Sequence, residues 1–353
     1  MRKVKRKKRT LLIILISPLL LALLLGGLAV YILYLPLSPR KDARQVDIIV
    51  RWGASLGQVA IELEKESVIR NIDQFKLVAE LYKKTERLRV GKFTLREGMS
   101  NYAALMALVE GPQSYIQFTL PDGYDSRRFA RIIEHHLEID SAEIVNLVSD
   151  SAFIAGLGLA TTSLEGYLFP ETYSFTYGVT APHVLTTLVE QFNRAVDDSL
   201  IMRAAEKGWS LNDALTLASI IEGEAIVDVE MPIISSVYHN RLRIGMPLQA
   251  DPTIQYIIPD GPRRLLYRDL DIDSPYNTYK YKGLPPAPIN NPGRNAIRAA
   301  LFPAETLYLY FVANGDGTHS FSENYEQHLR AKQRFDAYRR QVREDQQKAR
   351  NGQ

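Results

Sequence analysis

The chain has 353 residues, with 43 Lys and Arg against 40 Asp and Glu, a net charge of +3, and no cysteine. That length allows more than one domain, and the charge is unevenly spread. Met1 to Thr10, MRKVKRKKRT, holds seven basic residues and no acid, leaving about −4 for the rest. The basicity is local, so it gives no support for nucleic-acid binding by the body of the protein.

Leu11–Leu35 is apolar apart from Ser17, with Pro18 and Gly26-Gly27 inside it and Tyr31 and Tyr34 near its far end. Such a run is long enough to cross a bilayer, and the tyrosines suit an interface. The positive-inside rule then puts residues 1–10 in the cytoplasm as a basic tail and everything after Pro36 outside. A cleaved signal peptide is the competing reading, but the run is long for one and no A-x-A site follows. The lack of cysteine is compatible with an extracytoplasmic domain that avoids stray disulfides.

Residues 36–45 read as a polar linker. From Val46 the pattern is strand, turn, helix, turn, helix, with Lys92-Phe-Thr-Leu as a returning strand and a helix from about Asn101 to Val109. Through VRWGASLGQVAIEL and VIRNIDQF, residues 46–114 resemble the LysM-like subdomain of some cell-wall enzymes. That resemblance implies contact with N-acetylated glycans; the alternative is a spacer holding the following part off the membrane.

Tyr115–Leu120 alternates as a strand, and Pro121-Asp122-Gly123 reads as a turn. Helices are predicted over about Ser126–Leu137, Ser141–Ser149 and Ser151–Leu157. His135 and His136 lack a third ligand at useful spacing, so neither a metal site nor a cofactor is expected. No G-x-x-x-x-G-K-[ST] supports nucleotide chemistry. LEGYLFPETY, from Leu164, gathers Glu165 and Glu171 with Tyr167, Phe169 and Tyr173 in a loop-like stretch. Aromatic faces with hydrogen-bonding neighbours suit sugar rings, whereas the competing reading is an aromatic core plug. Helices follow from about Pro182 to Lys207.

Leu211–Glu224, LNDALTLASIIEGE, is the stretch on which the rest depends. Ser210 and Asp213 have the spacing of a capping box, and the following residues are apolar nearly all round, as in a core helix. At about 100° per residue, Leu211, Leu215, Ala218 and Glu222 share one stripe, so Glu222 continues an apolar face. Desolvation raises the pKa of such a carboxyl, and an acid still protonated near neutrality can donate to a leaving oxygen. The alternatives are a solvated C-terminal glutamate or a pair with Arg241 or Arg243. Gly223 is expected to weaken the helix and open the chain into a cleft.

Another helix is predicted over Val229–Ile244. Proline-stiffened loops then carry PLQADPT, SPYNTY and GLPPAPINNPG, the kind of segment that lines a polymer cleft. A helix over Arg294–Leu301, a strand from Tyr308, a hairpin at Gly315–Phe321 and a charged helix from about Asn324, with 341–353 as a charged tail frayed over Gln346–Gln353, complete an α+β fold.

LEGYLFPETY, LASIIEGEA, NRLRIGMPLQADPT, YNTY, GLPPAPINNPG and YLYFVANGDGTHSF together resemble the YceG-like family of endolytic murein transglycosylases. The resemblance covers nearly the whole chain and makes 115–340 the catalytic domain. It implies a single-pass inner-membrane protein that cuts nascent peptidoglycan strands internally, near peptidoglycan synthases (penicillin-binding proteins) that it does not specify. The position matching the family's catalytic acid is Glu222. Gln249, Asp251, Thr253, Tyr276, Asn277, Thr278 and Tyr279 fall in matching motifs expected to line the cleft, as do Glu171 and Tyr173. Gly223 departs from the family, which often has a larger residue there. One carboxyl suffices for a lytic reaction, in which it acts first as acid and then as base. A hydrolytic muramidase would draw a second carboxylate from Asp251 or Glu171, and a wall-binding protein would need none.

Overall fold

The computed structural model describes residues 2–35, 43–258, 261 and 263–351. Most of the expected linker, residues 36–42, lies outside them. The chain folds as two compact units: a smaller one, residues 1–117 with 174–180, and a larger one, residues 118–173 with 181–353. The smaller unit therefore includes a short return of the chain from the region read as one uninterrupted catalytic domain.

The smaller unit begins with α1 (Arg2–Tyr34), so the basic segment runs continuously into the apolar one. Ser17–Tyr34 is long and apolar enough to cross a membrane, with mean hydropathy 2.0. Then come β1 (Gln45–Val50), α2 (Leu56–Lys65), α3 (Ile72–Leu81), β2 (Gly91–Arg96) and α4 (Asn101–Glu110). β1 and β2 are antiparallel, with Gln45 opposite Arg96 and Val50 opposite Gly91. The period-2 alternation turns Val46, Ile48 and Val50 inward. They meet Leu63, Phe75 and Leu105 from the three helices, all buried. Ser55 and Gln58 close a capping box on α2, and Asn71 and Ser100 cap α3 and α4. The end of α1 docks on this unit: the Tyr34 and Tyr82 hydroxyls are 2.6 Å apart, and Asn101 Nδ2 donates to Ile32 O at 2.8 Å. The β-α-α-β order follows the sequence pattern, but order and register alone do not make a glycan-binding module.

The chain passes between units along β3 (Tyr115–Thr119) and β4 (Thr172–Thr176), which pair with each other. The larger unit is mostly helical: α5 (Ser126–Leu137), α6 (Ser141–Val148), α7 (Ser151–Gly156), α8 (Ala181–Ala195), α9 (Asp198–Glu206), α10 (Leu211–Glu224), α11 (Met231–Arg243), α12 (Asp251–Ile257) and α13 (Arg294–Leu301). An antiparallel hairpin of β5 (Tyr310–Ala313) and β6 (His319–Ser322) follows, and α14 (Tyr325–Asn351) ends the unit.

α10 is the centre of this unit. Its capping box forms as the sequence indicates, with Ser210 accepting from Asp213 N and Asp213 accepting from Ser210 N. All eight residues from Ala214 to Ile221 are buried, among side chains of α9, α11, α12 and α13. Two polar residues survive there because each is satisfied: Thr216 Oγ1 donates to Asn212 O at 2.7 Å, and Ser219 Oγ donates to Thr216 O at 2.8 Å. α12 departs from the sequence pattern; it starts inside the stretch read as loop, with Pro252 in its first turn.

Candidate active site

Glu222 lies in the last turn of α10, where the apolar stripe reaches the surface. Its Oε2 accepts from Gly293 N at 2.9 Å. Among the described residues it forms no ion pair: Arg241 donates to Leu248 O and Leu309 O, and Arg243 to Asn240 Oδ1. Burial pushes its pKa up to about 7, the Gly293 bond opposes the rise, and the charges of Asp122 and Asp228 add to it. Asp122 is raised as well, through burial first and then Asp228 and Glu171.

Backbone approach builds this environment. Gly123 has φ +73, and a Cβ there would lie 3.3 Å from Glu222 Cγ. A Cβ on Gly293 would fall 2.6 Å from Asp122 Oδ1. The 121–123 turn and the 290–293 loop thus close on Glu222 from two sides. Gly223 does not open the helix as expected: α10 continues to Glu224. Its role is close packing, since a Cβ there would sit 2.7 Å from Pro252 Cβ.

Asn291 ties these loops together. Its Oδ1 accepts from Gly166 N and Leu168 N, and its Nδ2 donates to Tyr124 O and Glu165 Oε1, all at 2.9–3.2 Å. Glu165 is buried, caps α5 through Ser126 N and Oγ, and has its pKa pushed up to about 7 by burial. Asn290 Nδ2 donates to Ser219 O, and Ile289 N donates to Ser219 Oγ. The proline-rich loop is therefore bolted to α10, and that fixes Gly293 beside Glu222.

Three cavities surround the end of α10. The first, about 340 Å³, is lined by Glu222 with Asp122, Glu171, Asp228, Arg294 and Asn295. Asn295 Nδ2 donates to Asp228 Oδ2 at 2.7 Å. The second, about 360 Å³, lies against α5 and α12 and is lined in part by Gly123, Gly223 and Asp251. The third, about 380 Å³, takes Gln249, Asp251 and Tyr279 together with Glu224. Tyr279 donates to Asp251 Oδ1 at 2.5 Å and Tyr238 to Glu224 Oε1 at 2.9 Å; burial pushes Glu224 up to about 7. Gln249 holds a left-handed backbone, φ +50.

Several residues expected in the cleft are structural instead. Thr253, Asn277 and Thr278 are buried. Asn277 Nδ2 donates to Leu270 O and Ile272 O while its Oδ1 accepts from Tyr279 N, so it shapes the loop that presents Tyr279. Thr278 Oγ1 accepts from Ala250 N and lies 2.9 Å from Thr253 Oγ1. Tyr173 is buried and donates to Phe169 O at 2.6 Å; with Tyr167 and Phe169 it is the core plug, not a sugar platform. Tyr276 is partly buried, its ring tilted against Tyr256. Of the LEGYLFPETY pair of acids, only Glu171 reaches the cavity of Glu222. Asp122, Asp228 and Gly293 were missed as site residues, because nothing local in a P-D-G turn or an N-P-G loop shows that both end at one carboxyl.

The YceG-like family profile matches residues 48–334. The chain is 34% identical over 330 residues to a Bacillus subtilis protein named endolytic murein transglycosylase, covering 89% of this chain and 91% of that one. Streptococcus pneumoniae proteins of the same name are 29% identical over 325 residues, covering 82% of this chain, which spans 58% of their length. A crystal structure of a YceG-like protein from Listeria monocytogenes superposes with a TM-score of 0.57 at 31% identity, covering 81% of this chain and 98% of that one. With its profile match running from β1 into α14, the chain belongs to the YceG-like family.

Proposed function

We propose that this protein is a membrane-anchored lytic transglycosylase that cuts peptidoglycan strands internally, with Glu222 as the single acid and base. The observation that carries the reading is a carboxyl at the end of a buried helix that lines a cavity and is oriented by one backbone N–H at 2.9 Å, where burial pushes its pKa up to about 7. Its other oxygen has no protein partner among the described residues. Protonated Glu222 gives its proton to the glycosidic oxygen between N-acetylmuramic acid and N-acetylglucosamine as the C1–O bond breaks. The resulting carboxylate takes the proton of the muramic C6 hydroxyl, whose oxygen bonds to C1 and closes a 1,6-anhydro ring. Water does not take part, so each new muramic end is lighter by one water than a hydrolysis product. The relatives named endolytic murein transglycosylase support the reaction class.

Mass spectrometry of products from purified, uncrosslinked strands tests this reading. Anhydro ends on long internal fragments are expected, and reducing ends would overturn the lytic step. A hydrolytic muramidase is the second reading, favoured by one observation: Glu171 shares the cavity of Glu222. Asp251, the other candidate second carboxylate, is engaged by Tyr279 and lines the neighbouring cavities. The same measurement separates the two.

The apolar helix and the basic residues ahead of it support an anchor with its N-terminus in the cytoplasm. Protease added outside spheroplasts is then expected to digest the larger unit and spare residues 1–10. Protection of the larger unit would reverse the orientation.

A further inference from the structure

The cavity against α5 differs in chemistry from the acidic one beside it. Arg127, Arg128 and Arg131 all line it, projected from one face of an amphipathic helix. Arg127 is already engaged, 3.5 Å from Asp125 Oδ2, donating to Tyr256 O at 3.2 Å and lying over the Tyr256 ring. Arg128 lies 5.0 Å over the ring of Tyr124. Among the described residues, neither Arg128 nor Arg131 is ion-paired. The acids nearby are otherwise occupied: Asp125 caps α5 through Arg128 N, Asp251 holds Tyr279, and Glu224 holds Tyr238.

A second, independent feature marks the same cavity. Asn290 lines it and is 5% exposed. The bond from Nδ2 to Ser219 O fixes the amide, which leaves Oδ1 buried and without a partner. A buried acceptor left unpaired is costly, and a ligand N–H would satisfy it. Gly123 and Gly223 complete the wall, one packed on Glu222 and the other next to it in sequence, so the cavity adjoins the proposed acid.

We propose that this cavity binds the peptide stem of the substrate, with a stem carboxylate on Arg128 and Arg131 and a stem amide N–H donating to Asn290 Oδ1. The inference rests on the transglycosylase reading and names its substrate class: strands that still carry carboxylate-bearing stems. The N-acetylated rings are neutral, and in a stem-bearing strand the lactyl carboxyl is taken up in the amide bond to the stem. The anionic group that unpaired guanidinium ions would meet at a strand is therefore the peptide attached to the muramic lactyl group. Arginine matches a carboxylate with two parallel hydrogen bonds, which gives direction as well as strength.

The test uses the full-length chain in detergent and three uncrosslinked substrates: strands with stems, strands stripped of stems by an amidase, and strands whose stem carboxyls are amidated. Wild type is expected to cleave the first about tenfold or more faster in kcat/KM, as loss of a charge-assisted hydrogen bond implies. The double variant R128Q/R131Q should lose that advantage, mainly through KM, and cleave stripped strands as wild type does with an unchanged Tm. Equal wild-type rates on all three, or an equal loss by the variant on stemmed and stripped strands, overturns the proposal. Calorimetry with a muramyl disaccharide bearing or lacking the stem runs in parallel. A binding preference that disappears in the variant, with no strand cleaved by wild type, keeps the cavity assignment and overturns the transglycosylase reading alone. No binding preference in wild type overturns the assignment itself.

Discussion

Glu222→Gln is expected to lower strand cleavage by about 10²–10⁴-fold, the range for loss of a general acid–base group. The upper end applies, because one carboxyl serves both proton transfers. The amide oxygen can still accept from Gly293 N, so the loop geometry is retained while the titratable proton is lost. In wild type the acid must be protonated to begin the reaction, so kcat/KM should fall as pH rises through about 7. Stability gives a second readout of the same group. A carboxyl raised in the folded state binds its proton more tightly there than in the unfolded chain. Its contribution is full below the unfolded value of 4.5 and is lost as pH rises through about 7. Glu222→Gln removes that loss, so its Tm should exceed that of wild type at pH 8 and the gain should vanish near pH 4.5. Substantial cutting by the variant would show that Glu222 is not the acid. A pH-independent Tm difference would show that the carboxyl is not desolvated.

Asn291→Ala should have the largest effect on stability. It removes four hydrogen bonds at a fully buried side chain and leaves Gly166 N and Leu168 N unpaired, whereas Tyr124 O keeps the backbone N–H of residue 291 and Glu165 keeps Ser126. Each buried group left unpaired costs about 1–3 kcal/mol, and the losses are not additive, so about 3–5 kcal/mol is expected from denaturant unfolding. Activity should fall further than the unfolded fraction explains, because the same side chain sets the loop that carries Gly293 to Glu222. A change below about 1 kcal/mol would mean that the three loops are held by other contacts. Normal specific activity in the folded fraction would mean that Gly293 is placed independently of Asn291.

Local pattern decided much of this molecule. The capping box at Ser210–Asp213 and the unbroken apolar run after it specify the start and body of α10, because both signals act within a few turns, but not its continuation through Gly223. Ser126–Leu137 and Arg294–Leu301 are legible for the same reason, and so is the alternation that turns Val46, Ile48 and Val50 inward. The apolar stripe leading to Glu222 is also a local property, although the burial that raises its pKa is completed by loops distant in sequence.

The tertiary structure decided which other residues meet that carboxyl. Asp122, Asp228 and Gly293 come from separate loops, up to 171 positions apart, and Gly293 is held there as Asn290 and Asn291 fasten the proline-rich loop to α10 and to its neighbours. Polar residues in a motif look alike in sequence whether they face a cavity or satisfy a loop. Asn277, Thr278 and Thr253 satisfy buried backbone and one another, whereas Gln249, Asp251 and Tyr279 remain on cavity walls. Which of the two a side chain does depends on where the backbone's unpaired groups fall, and only the folded chain fixes that. The arginines of α5 are visible in the sequence, but the unpaired acceptor of Asn290, a residue of the same cavity wall, is not. It exists because Ser219, 71 residues earlier in the chain, takes the other end of the Asn290 amide.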